Sequence, residues 1–349
     1  DNHFTIKLKN IFPWTPDTPN LYDFSIQLDE DNIEGYFALR KFSIGDGPYG
    51  KCLHLNNQPY FINGVLDQGY YSDGLYTPAS EEAYIDDIIA MKNLGYNTLR
   101  KHIKIEPLRF YYHCDRLGMI VWQDFINGGR YCFWKMTLLP TIGFQKIKDY
   151  RNLKSFGRKN SQSQKTFEEE LEKTVSLLYN VPSLGLWTIF NEGWGQFRSA
   201  YYYEYLKKLD NTRIIDCTSG WFDQGAPDLA SKHIYFRKIK LKKDKRDRPL
   251  VLSEFGGYSC KIKNHSYSDK EFGYRKFSRL EDFENAYIEL YKNEVIPYLK
   301  EGLSAAIYTQ LSDVEDEVNG LVTYDRKVCK LNPERVRPIH QQLTIKKES

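Results

Sequence analysis

The fold can be worked out from one stretch, Ile189-Phe190-Asn191-Glu192-Gly193-Trp194-Gly195-Gln196. The apolar run that leads into it, residues 184–190, predicts a buried strand that delivers Asn191 and Glu192 to its carboxyl end. Two glycines and a tryptophan follow, which favours a sharp turn of the backbone beside a large flat ring. A carboxylate beside a carboxamide suits a catalytic site, but a strand that simply ends in polar residues would have the same pattern.

Seven further apolar runs accompany this strand, and segments with helical periodicity separate them. Strands are predicted at residues 60–65, 97–100, 120–123, 186–190, 214–217, 232–235, 250–253 and 304–310. Helices are predicted at residues 81–94, 107–117, 167–179, 198–209 and 281–301. Strands that alternate with helices imply a parallel sheet, and eight repeats imply an α/β fold of the (β/α)8 TIM-barrel class. A doubly wound open sheet is the alternative, but no glycine-rich phosphate loop follows the first strand.

The first 44 residues alternate between apolar and polar side chains, which is typical of strands. Strands are predicted there at residues 4–8, 22–28 and 35–44. We interpret this region as the end of a β-sandwich, and the glycine-rich segment 45–50 as a linker. The predicted domains are therefore residues 1–44 and 45–349. Because the chain starts with Asp1 and no signal peptide, we expect it to begin within a longer polypeptide.

The composition argues against several classes of function. Acidic and basic residues nearly balance, at a net charge of +3 in 349 residues, so no global field favours nucleic acid. No apolar segment approaches the ~18 residues that a membrane span needs. Six scattered cysteines without a C-x-x-C pair predict free thiols in a reducing, cytoplasmic compartment, rather than a zinc site or a disulfide framework.

Two long inserts follow the third and seventh predicted strands. Residues 128–165 begin with the aromatic side chains of Tyr131, Phe133 and Trp134, and residues 256–279 carry more aromatic side chains. Both inserts connect a strand to the next helix, so they are expected on the carboxyl-end face of the barrel, where active sites form. The aromatic content of 15% suits the apolar C–H faces of sugar rings, and it suits an aromatic-rich core equally well.

A second carboxylate ends the seventh predicted strand, in Ser253-Glu254-Phe255-Gly256-Gly257. In a barrel, Glu192 on strand four and Glu254 on strand seven would face one another across the mouth. Glycoside hydrolysis through a covalent intermediate needs one carboxylic acid to protonate the leaving oxygen and one carboxylate to attack the anomeric carbon, about 5–5.5 Å apart. The pair therefore indicates a retaining glycosidase, with a helix cap or an ion pair as the alternative role for Glu254.

These motifs resemble those of glycoside hydrolase family 2, the family of β-galactosidases, β-glucuronidases and β-mannosidases. Its acid/base and nucleophile motifs are similar to Asn191-Glu192-Gly193-Trp194-Gly195-Gln196 and Ser253-Glu254-Phe255-Gly256-Gly257. The end of its immunoglobulin-like domain is similar to Trp14-Thr15-Pro16-Asp17-Thr18-Pro19-Asn20-Leu21-Tyr22. Its first two barrel strands and the turn into the third are similar to Phe61-Ile62-Asn63-Gly64-Val65, Asn97-Thr98-Leu99-Arg100-Lys101-His102 and Cys114-Asp115-Arg116-Leu117-Gly118-Met119. The resemblance runs along the whole chain.

The resemblance implies roles for four residues. Glu192 would be the general acid/base and Glu254 the nucleophile; Asn191 would bind the sugar 2-hydroxyl, and Tyr235 would hold the nucleophile in place. Glu192 must then stay protonated near neutral pH, through burial and the negative charge of Glu254. Arg100 is expected to be a buried partner that orients Glu254. Further substrate-binding candidates at strand ends, for each of which a structural hydrogen bond is the alternative, are Asp67, His102, Asp124, Trp221, His233 and Tyr308.

Two departures from the family pattern bear on function. Some relatives hold magnesium with an acid after strand three and a histidine two residues on, but Ile126 follows Asp124 here, so we expect no metal and no other cofactor. The family's N-terminal sugar-binding domain has no counterpart in the chain. We expect a β-galactosidase-like retaining exo-β-glycosidase acting on oligosaccharides or other glycosides. The alternatives are a β-glucuronidase and a carbohydrate-binding or inactive fragment. No nucleic-acid or membrane partner is expected, and a homo-oligomer is left open.

Overall fold

Eight parallel strands form the centre of the molecule in a computed structural model that describes residues 5–141 and 143–346. In chain order, the strands of all sheets in the described residues are β1 (Tyr22–Leu28), β2 (Asp31–Phe37), β3 (Phe42–Gly47), β4 (Gly50–Leu55), β5 (Gln58–Pro59), β6 (Ile62–Asp67), β7 (Thr98–Lys101), β8 (Ile120–Asp124), β9 (Leu184–Asn191), β10 (Ile214–Ser219), β11 (Ala230–Ile234), β12 (Leu250–Gly256), β13 (Tyr258–Cys260), β14 (Arg275–Phe277) and β15 (Leu303–Thr309). The central sheet has the order β10-β9-β8-β7-β6-β15-β12-β11, and each neighbouring pair is parallel. The eight predicted barrel strands and the TIM-barrel class are therefore confirmed.

The helices surround this sheet, except for a three-residue helix in the insert after β8. They are α1 (Glu82–Leu94), α2 (Leu108–Leu117), α3 (Leu139–Thr141), α4 (Ser161–Leu178), α5 (Ser199–Leu209), α6 (Leu280–Leu290) and α7 (Pro333–His340). α4 begins where the Asn160 side chain accepts a hydrogen bond from the Ser163 N–H at 3.2 Å, which satisfies a free donor of the first turn. The helix predicted at 281–301 is wrong in its second half, because π-helical and 3₁₀ turns, Tyr291–Val295 and Ile296–Glu301, follow α6. Pro297 has no N–H for an α-helical hydrogen bond.

The barrel closes between β10 and β11, where the described residues form no backbone ladder. Side chains bridge this seam instead. The Ser231 hydroxyl donates to the Asp216 carboxylate at 2.8 Å, and the Ser219 hydroxyl lies 2.9 Å from Nε2 of His233. Because β10 also pairs with β9, the polar seam lies beside the strand that carries Glu192.

A small antiparallel sheet of β3, β4 and β5 fills the amino-terminal end of the barrel. Its apolar side chains Phe42, Leu53 and Leu55 belong to one buried cluster with Trp14. The same cluster contains inward-facing barrel residues, among them Ile62, Trp122 and Ile307. Trp14 is fully buried, and its indole N–H donates to the Asp115 carbonyl at 2.8 Å. The linker predicted at 45–50 is therefore wrong: this segment includes the turn of the β3–β4 hairpin, which forms part of the barrel floor.

The N-terminal region agrees with the sequence-based prediction only in part. The strand predicted at 22–28 is confirmed as β1, which pairs antiparallel with β2. The strand predicted at 35–44 is wrong as a single element, because its two halves belong to β2 and β3 in separate sheets. Of the strand predicted at 4–8, residue 4 lies outside the described residues and residues 5–8 have no regular structure. The assignment of residues 1–44 to an immunoglobulin-like domain stays a prediction.

Two observations concern the molecule as a whole. Within residues 5–141 and 143–346, every helix is too short or too polar to cross a membrane. The six cysteines all lie in these ranges, and all six are unpaired. Four of them, Cys52, Cys114, Cys217 and Cys260, are buried.

Candidate active site

Two carboxylates meet at the carboxyl end of the barrel. Glu192 follows directly after β9, and Glu254 lies near the end of β12. One oxygen of each carboxylate and one ring nitrogen of His233 lie within 4.8 Å of one another. The Glu192 side chain is 31% exposed, whereas that of Glu254 is 5% exposed. Glu192 therefore faces the open mouth, and Glu254 lies deeper in the barrel.

The turn that presents Glu192 depends on glycine. Glu192 itself has a left-handed φ of 52°, and Gly195 has a φ of 69°. A Cβ atom on Gly195 would overlap the Gly128 carbonyl oxygen, so a larger residue does not fit. The Trp194 indole N–H donates to the Gly129 carbonyl at 3.0 Å. The flat ring that the sequence predicts beside Glu192 thus attaches the motif to the insert after β8, and Trp194 does not line the cavity described below.

Arg100, on β7, joins the parts of the site from beneath. Its fully buried guanidinium donates to Glu254 at 3.1 Å, to the side-chain oxygen of Asn191 at 2.9 Å and to both oxygens of Asp124 at 3.0 Å. This contact confirms the prediction that Arg100 is a buried partner of Glu254. One planar group with five donors thereby fixes the positions of three side chains relative to one another.

Asp124 also contacts His102, which extends the network of hydrogen bonds around Arg100. Nδ1 of His102 lies 3.3 Å from an Asp124 oxygen. Burial acts to raise the pKa of Asp124, but the charge of Arg100 and the hydrogen bond with His102 hold that pKa below its ordinary value. Burial also acts to lower the pKa of His102, but the hydrogen bond with Asp124 and the charge of Glu254 raise it. Asp124 is fully buried, so His102 is the more accessible member of the pair.

The environment of Glu192 suits an acid. Removal of its carboxyl from water raises the pKa of Glu192 to about 7, while the positive charges of His102 and Arg100 act in the opposite direction. The charge of Glu254, which the sequence-based expectation includes, is not among the causes of the pKa shift. A carboxyl with this pKa is largely protonated just below neutral pH and can donate a proton.

His233 lies between the two carboxylates. Its Nδ1 is 2.8 Å from Glu192, and its Nε2 is 2.9 Å from the Ser219 hydroxyl and 3.5 Å from Glu254. Burial lowers the pKa of His233 to about 4, so the ring is neutral near neutral pH. A neutral imidazole has one N–H donor and one acceptor nitrogen. The ring therefore contacts both carboxyl groups without adding a charge to either.

Tyr235 reaches the nucleophile candidate from the other side. Its hydroxyl donates to the Glu254 oxygen that Arg100 leaves free. Burial and the charge of Glu254 hold the pKa of Tyr235 well above its ordinary value, so the hydroxyl keeps its proton. Tyr274, from the insert after β12, stacks on the Tyr235 ring with centroids 4.2 Å apart. A Cβ atom on Gly257 would overlap the Tyr274 ring, so this stack also depends on a glycine.

Two sequence-predicted binding residues are engaged elsewhere. Asp67 is buried, and its carboxylate accepts a hydrogen bond from the Lys101 ammonium at 2.6 Å. Tyr308 is fully buried, and its hydroxyl accepts a hydrogen bond from the Tyr258 N–H at 3.3 Å. Since the polar groups of Asp67 and Tyr308 are used inside the protein, their placement argues against the sugar contacts that the sequence suggested.

A cavity of ≈ 390 Å³ opens in front of Glu192. Glu192, His233, Tyr235 and Trp221 line its inner part. Its other polar lining residues are Thr137, Thr141, Gln145 and Arg237. The rest of the lining comes from the two inserts and from the segment after β11, and it includes Phe133, Leu138, Pro140, Phe236 and Phe272. The volume lies within the roughly 300–1,000 Å³ of small-molecule sites. As the sequence predicted, both inserts face the site.

The barrel and its carboxylate pair fall within a segment that matches a known family. Residues 49–332 match the family described as "Glycosyl hydrolases family 2, TIM barrel domain". The chain belongs to glycosyl hydrolase family 2. This family 2 chain is 28% identical over 300 residues to a β-galactosidase of Leuconostoc mesenteroides subsp. mesenteroides, across 78% of this chain and 25% of the relative. A β-galactosidase of Vibrio vulnificus is 26% identical over 300 residues, across 79% of this chain and 26% of the relative. The chain thus spans about a quarter of the length of these curated relatives.

Solved structures share the fold of this family 2 chain. A GH2 β-galacturonidase from Eisenbergiella tayi bound to galacturonate has a TM-score of 0.69 at 18% identity, covering 95% of this chain and 59% of that chain. A β-D-glucuronidase of Dictyoglomus thermophilum has a TM-score of 0.70 at 16% identity, covering 96% of this chain and 59% of that chain. At these identities the likeness concerns the fold alone.

One set of side chains among the described residues of the family 2 chain has the spacing of metal ligands. It consists of Glu192, His233 and Glu254. However, the guanidinium of Arg100 already lies 3.1 Å from Glu254, and this fixed positive charge disfavours a second cation beside it. This contact argues against a metal at the three side chains, and the absence of a metal stays a prediction.

Proposed function

We propose that the chain hydrolyses β-glycosides with retention, through a covalent glycosyl-enzyme on Glu254. The observation that carries the proposal is the carboxylate pair, in which an oxygen of Glu192 lies within 4.8 Å of an oxygen of Glu254. Retaining enzymes have carboxyl groups about 5–5.5 Å apart, whereas inverting enzymes need roughly 6.5–9.5 Å to admit a water molecule. Membership of glycosyl hydrolase family 2 supports the same reaction class.

In the first step, the Glu254 carboxylate attacks the anomeric carbon while Glu192 gives its proton to the leaving oxygen. Arg100 and Tyr235 donate hydrogen bonds to different oxygens of Glu254, which keeps its carboxylate oriented for attack. The Asn191 side-chain oxygen is taken by Arg100, so its NH₂ group is the end that remains for the sugar 2-hydroxyl. The covalent bond to the sugar forms as the bond to the aglycone breaks.

In the second step, water attacks the anomeric carbon and the bond between this carbon and Glu254 breaks, which releases the sugar and restores the Glu254 carboxylate. Glu192 has lost its proton, so it can accept one from the attacking water and return to its acid form. His233 supports this change of role, since Nδ1 can share a proton with Glu192 at 2.8 Å while Nε2 exchanges hydrogen bonds with Ser219. Both steps therefore use the same two carboxyl groups.

The proposed substrate is a terminal β-galactoside, because the curated relatives are β-galactosidases. A uronide is the second candidate, since structural neighbours are a β-galacturonidase and a β-glucuronidase. A chain that binds sugars without cleaving them is the remaining alternative, and the labelling test below separates it from both. We also propose a cytoplasmic location, which the six unpaired cysteines support.

A covalent label tests the proposal directly. We expect 2-deoxy-2-fluoro β-galactosides or β-glucuronides with a dinitrophenyl leaving group to inactivate the chain. Fluorine slows both steps, but the activated leaving group restores the rate of the first step only, so the glycosyl-enzyme accumulates. Mass spectrometry of the digested protein should place the sugar on Glu254, and Glu254→Gln should stay unlabelled. Label on another residue, or an α-configured first product in an NMR time course with an ordinary substrate, would refute retention through Glu254.

The raised pKa of Glu192 predicts the basic limb of the pH profile. His233, His102 and Arg100 face this carboxyl, and its pKa of about 7 lies above the ordinary 4.5. Glu192 therefore stays protonated up to about pH 7, and kcat/KM for methyl or other alkyl β-glycosides should fall about tenfold per pH unit above it. Rates measured from pH 5 to 9 check this, with a dinitrophenyl glycoside as the control that needs no acid. A limb near pH 4.5 would contradict the assignment.

A further inference from the structure

We propose that the cavity beside Glu192 is an aglycone subsite for a flat, apolar leaving group, so that aromatic β-glycosides rather than oligosaccharides are the substrate class. This inference rests on the proposed function. It begins with the position of the cavity relative to the two carboxyl groups. Glu192 lines the cavity, but Glu254 does not. The acid of a retaining glycosidase contacts the leaving oxygen, whereas the nucleophile contacts the sugar ring. Of the two carboxyl groups, only that of the acid lines the cavity, so the cavity lies on the leaving-group side.

The walls of this cavity are mainly apolar and uncovered, and one exposed charged residue, Arg237, also lines it. Phe133, Leu138 and Pro140 come from the insert after β8, and Phe236 and Phe272 approach from the segments after β11 and β12. The three phenylalanine side chains are each more than half exposed, and none belongs to a buried apolar cluster of the described residues. Exposed apolar side chains that converge on one cavity mark a surface that a ligand covers.

The polar side chains on the insert wall already make hydrogen bonds within the insert. The Thr141 hydroxyl donates to the Thr137 carbonyl at 2.6 Å, and the Thr137 hydroxyl lies 2.6 Å from the Tyr131 hydroxyl. The Gln145 amide donates to the Pro140 carbonyl at 3.0 Å. A sugar in this subsite would need free donors and acceptors for its hydroxyl groups, because burying them without partners is costly. The wall instead offers carbon surface, which suits an aromatic ring.

Two aryl leaving groups of similar acidity separate apolar contact from chemical reactivity. We expect kcat/KM for 2-naphthyl β-glycosides to exceed that for phenyl β-glycosides about tenfold, since the second ring buries further carbon surface. In Phe133→Ala and in Phe236→Ala this ratio should fall to about two or three. In Phe144→Ala it should stay near ten, because Phe144 belongs to the same insert and is also more than half exposed but does not line the cavity. The ratio does not depend on how much of a variant is folded.

Glycosyl fluorides distinguish failure of this inference from failure of the proposed function, because they carry no aglycone and need little acid. The unaltered 349-residue chain would be tested on β-galactosyl, β-glucuronyl and β-galacturonyl fluorides. Turnover of a fluoride together with equal kcat/KM for the naphthyl and phenyl glycosides, or with a ratio that Phe133→Ala and Phe236→Ala leave unchanged, would overturn the aglycone subsite alone. No turnover of any fluoride would overturn the proposed function, and this inference with it.

Discussion

Replacement of Glu254 by glutamine is expected to lower kcat/KM for every β-glycoside by about 10⁴-fold or more, which corresponds to about 5 kcal/mol of activation free energy. Glutamine has the shape of glutamate, and its side-chain oxygen can still accept from Arg100 or Tyr235, so the barrel should fold normally. Its amide cannot attack the anomeric carbon. Initial rates on nitrophenyl β-galactoside and β-glucuronide, beside circular dichroism of the folded variant, measure the effect.

The matched control for this variant is Glu204→Gln, which makes the same change on an exposed position of α5. It should leave kcat/KM within about twofold, since exposed changes of this kind have small effects. A small external nucleophile gives a second check. Azide added to Glu254→Ala with a dinitrophenyl β-glycoside should yield the α-glycosyl azide, because azide attacks from the side of the missing carboxylate. A Glu254→Gln variant with more than a hundredth of the original activity would remove Glu254 from the role of nucleophile.

Replacement of Glu192 by alanine is expected to have an effect that depends on the leaving group. For alkyl β-glycosides, kcat/KM should fall by about 10²–10⁴-fold, because the departing alkoxide needs a proton in the transition state. For dinitrophenyl β-glycosides, the same parameter should fall by less than about tenfold, because this leaving group departs as a stable anion. A plot of log kcat/KM against leaving-group acidity should therefore be much steeper for Glu192→Ala than for the original chain.

The second step offers an independent readout of Glu192. The variant lacks the base that activates water, so the glycosyl-enzyme should accumulate and produce a burst of dinitrophenol before the steady state. Azide does not need a base, so it should raise the steady-state rate of Glu192→Ala and give the β-glycosyl azide. Glu204→Ala on the exposed face of α5 is the control, and it should show neither effect. Equal losses for alkyl and dinitrophenyl substrates would exclude Glu192 as the acid.

The barrel itself could be predicted because its strands are buried on both faces. Such strands appear in the sequence as short continuous apolar runs, as residues 184–190 do, and helical segments separate them. The two carboxylates could be predicted for a related reason. Each follows such a run directly, and the carboxyl ends of parallel strands meet at one face of the barrel. Arg100 belongs to the same pattern, since it lies near the end of the second barrel strand.

The sequence could not show which polar residues at strand ends reach the cavity. Asp67 and Tyr308 occupy strand-end positions much like those of Glu192 and Glu254, but Lys101 and Tyr258 use their polar groups inside the protein. These partners lie on other segments, so the outcome depends on tertiary packing. His233 had a local signal: it stands two residues before Tyr235, and alternate residues of an extended strand point to the same side. Its place between the carboxylates, however, depends on β9 and β12.

The sequence predicts a linker where the structure has the β3–β4 turn, because this turn is rich in glycine. Gly45-Asp46-Gly47-Pro48-Tyr49-Gly50 has the composition of a linker as well as of a tight turn. Only the apolar residues on either side, such as Phe42 and Leu53, distinguish the two, and their partners are inward-facing barrel residues far along the chain.

The packing of the β3–β4 hairpin under the barrel has a practical consequence for any shortened version of the chain. The family match begins at residue 49, which suggests a natural place to cut. A cut there would remove Trp14, Phe42 and all of β3, and water would reach the underside of Trp122 and Ile307. Loss of one large aromatic side chain from a core costs about 3–5 kcal/mol, a large share of the roughly 5–15 kcal/mol that keeps a domain folded. The smallest unit that keeps this core intact therefore starts before Trp14, upstream of the residue at which the family match begins.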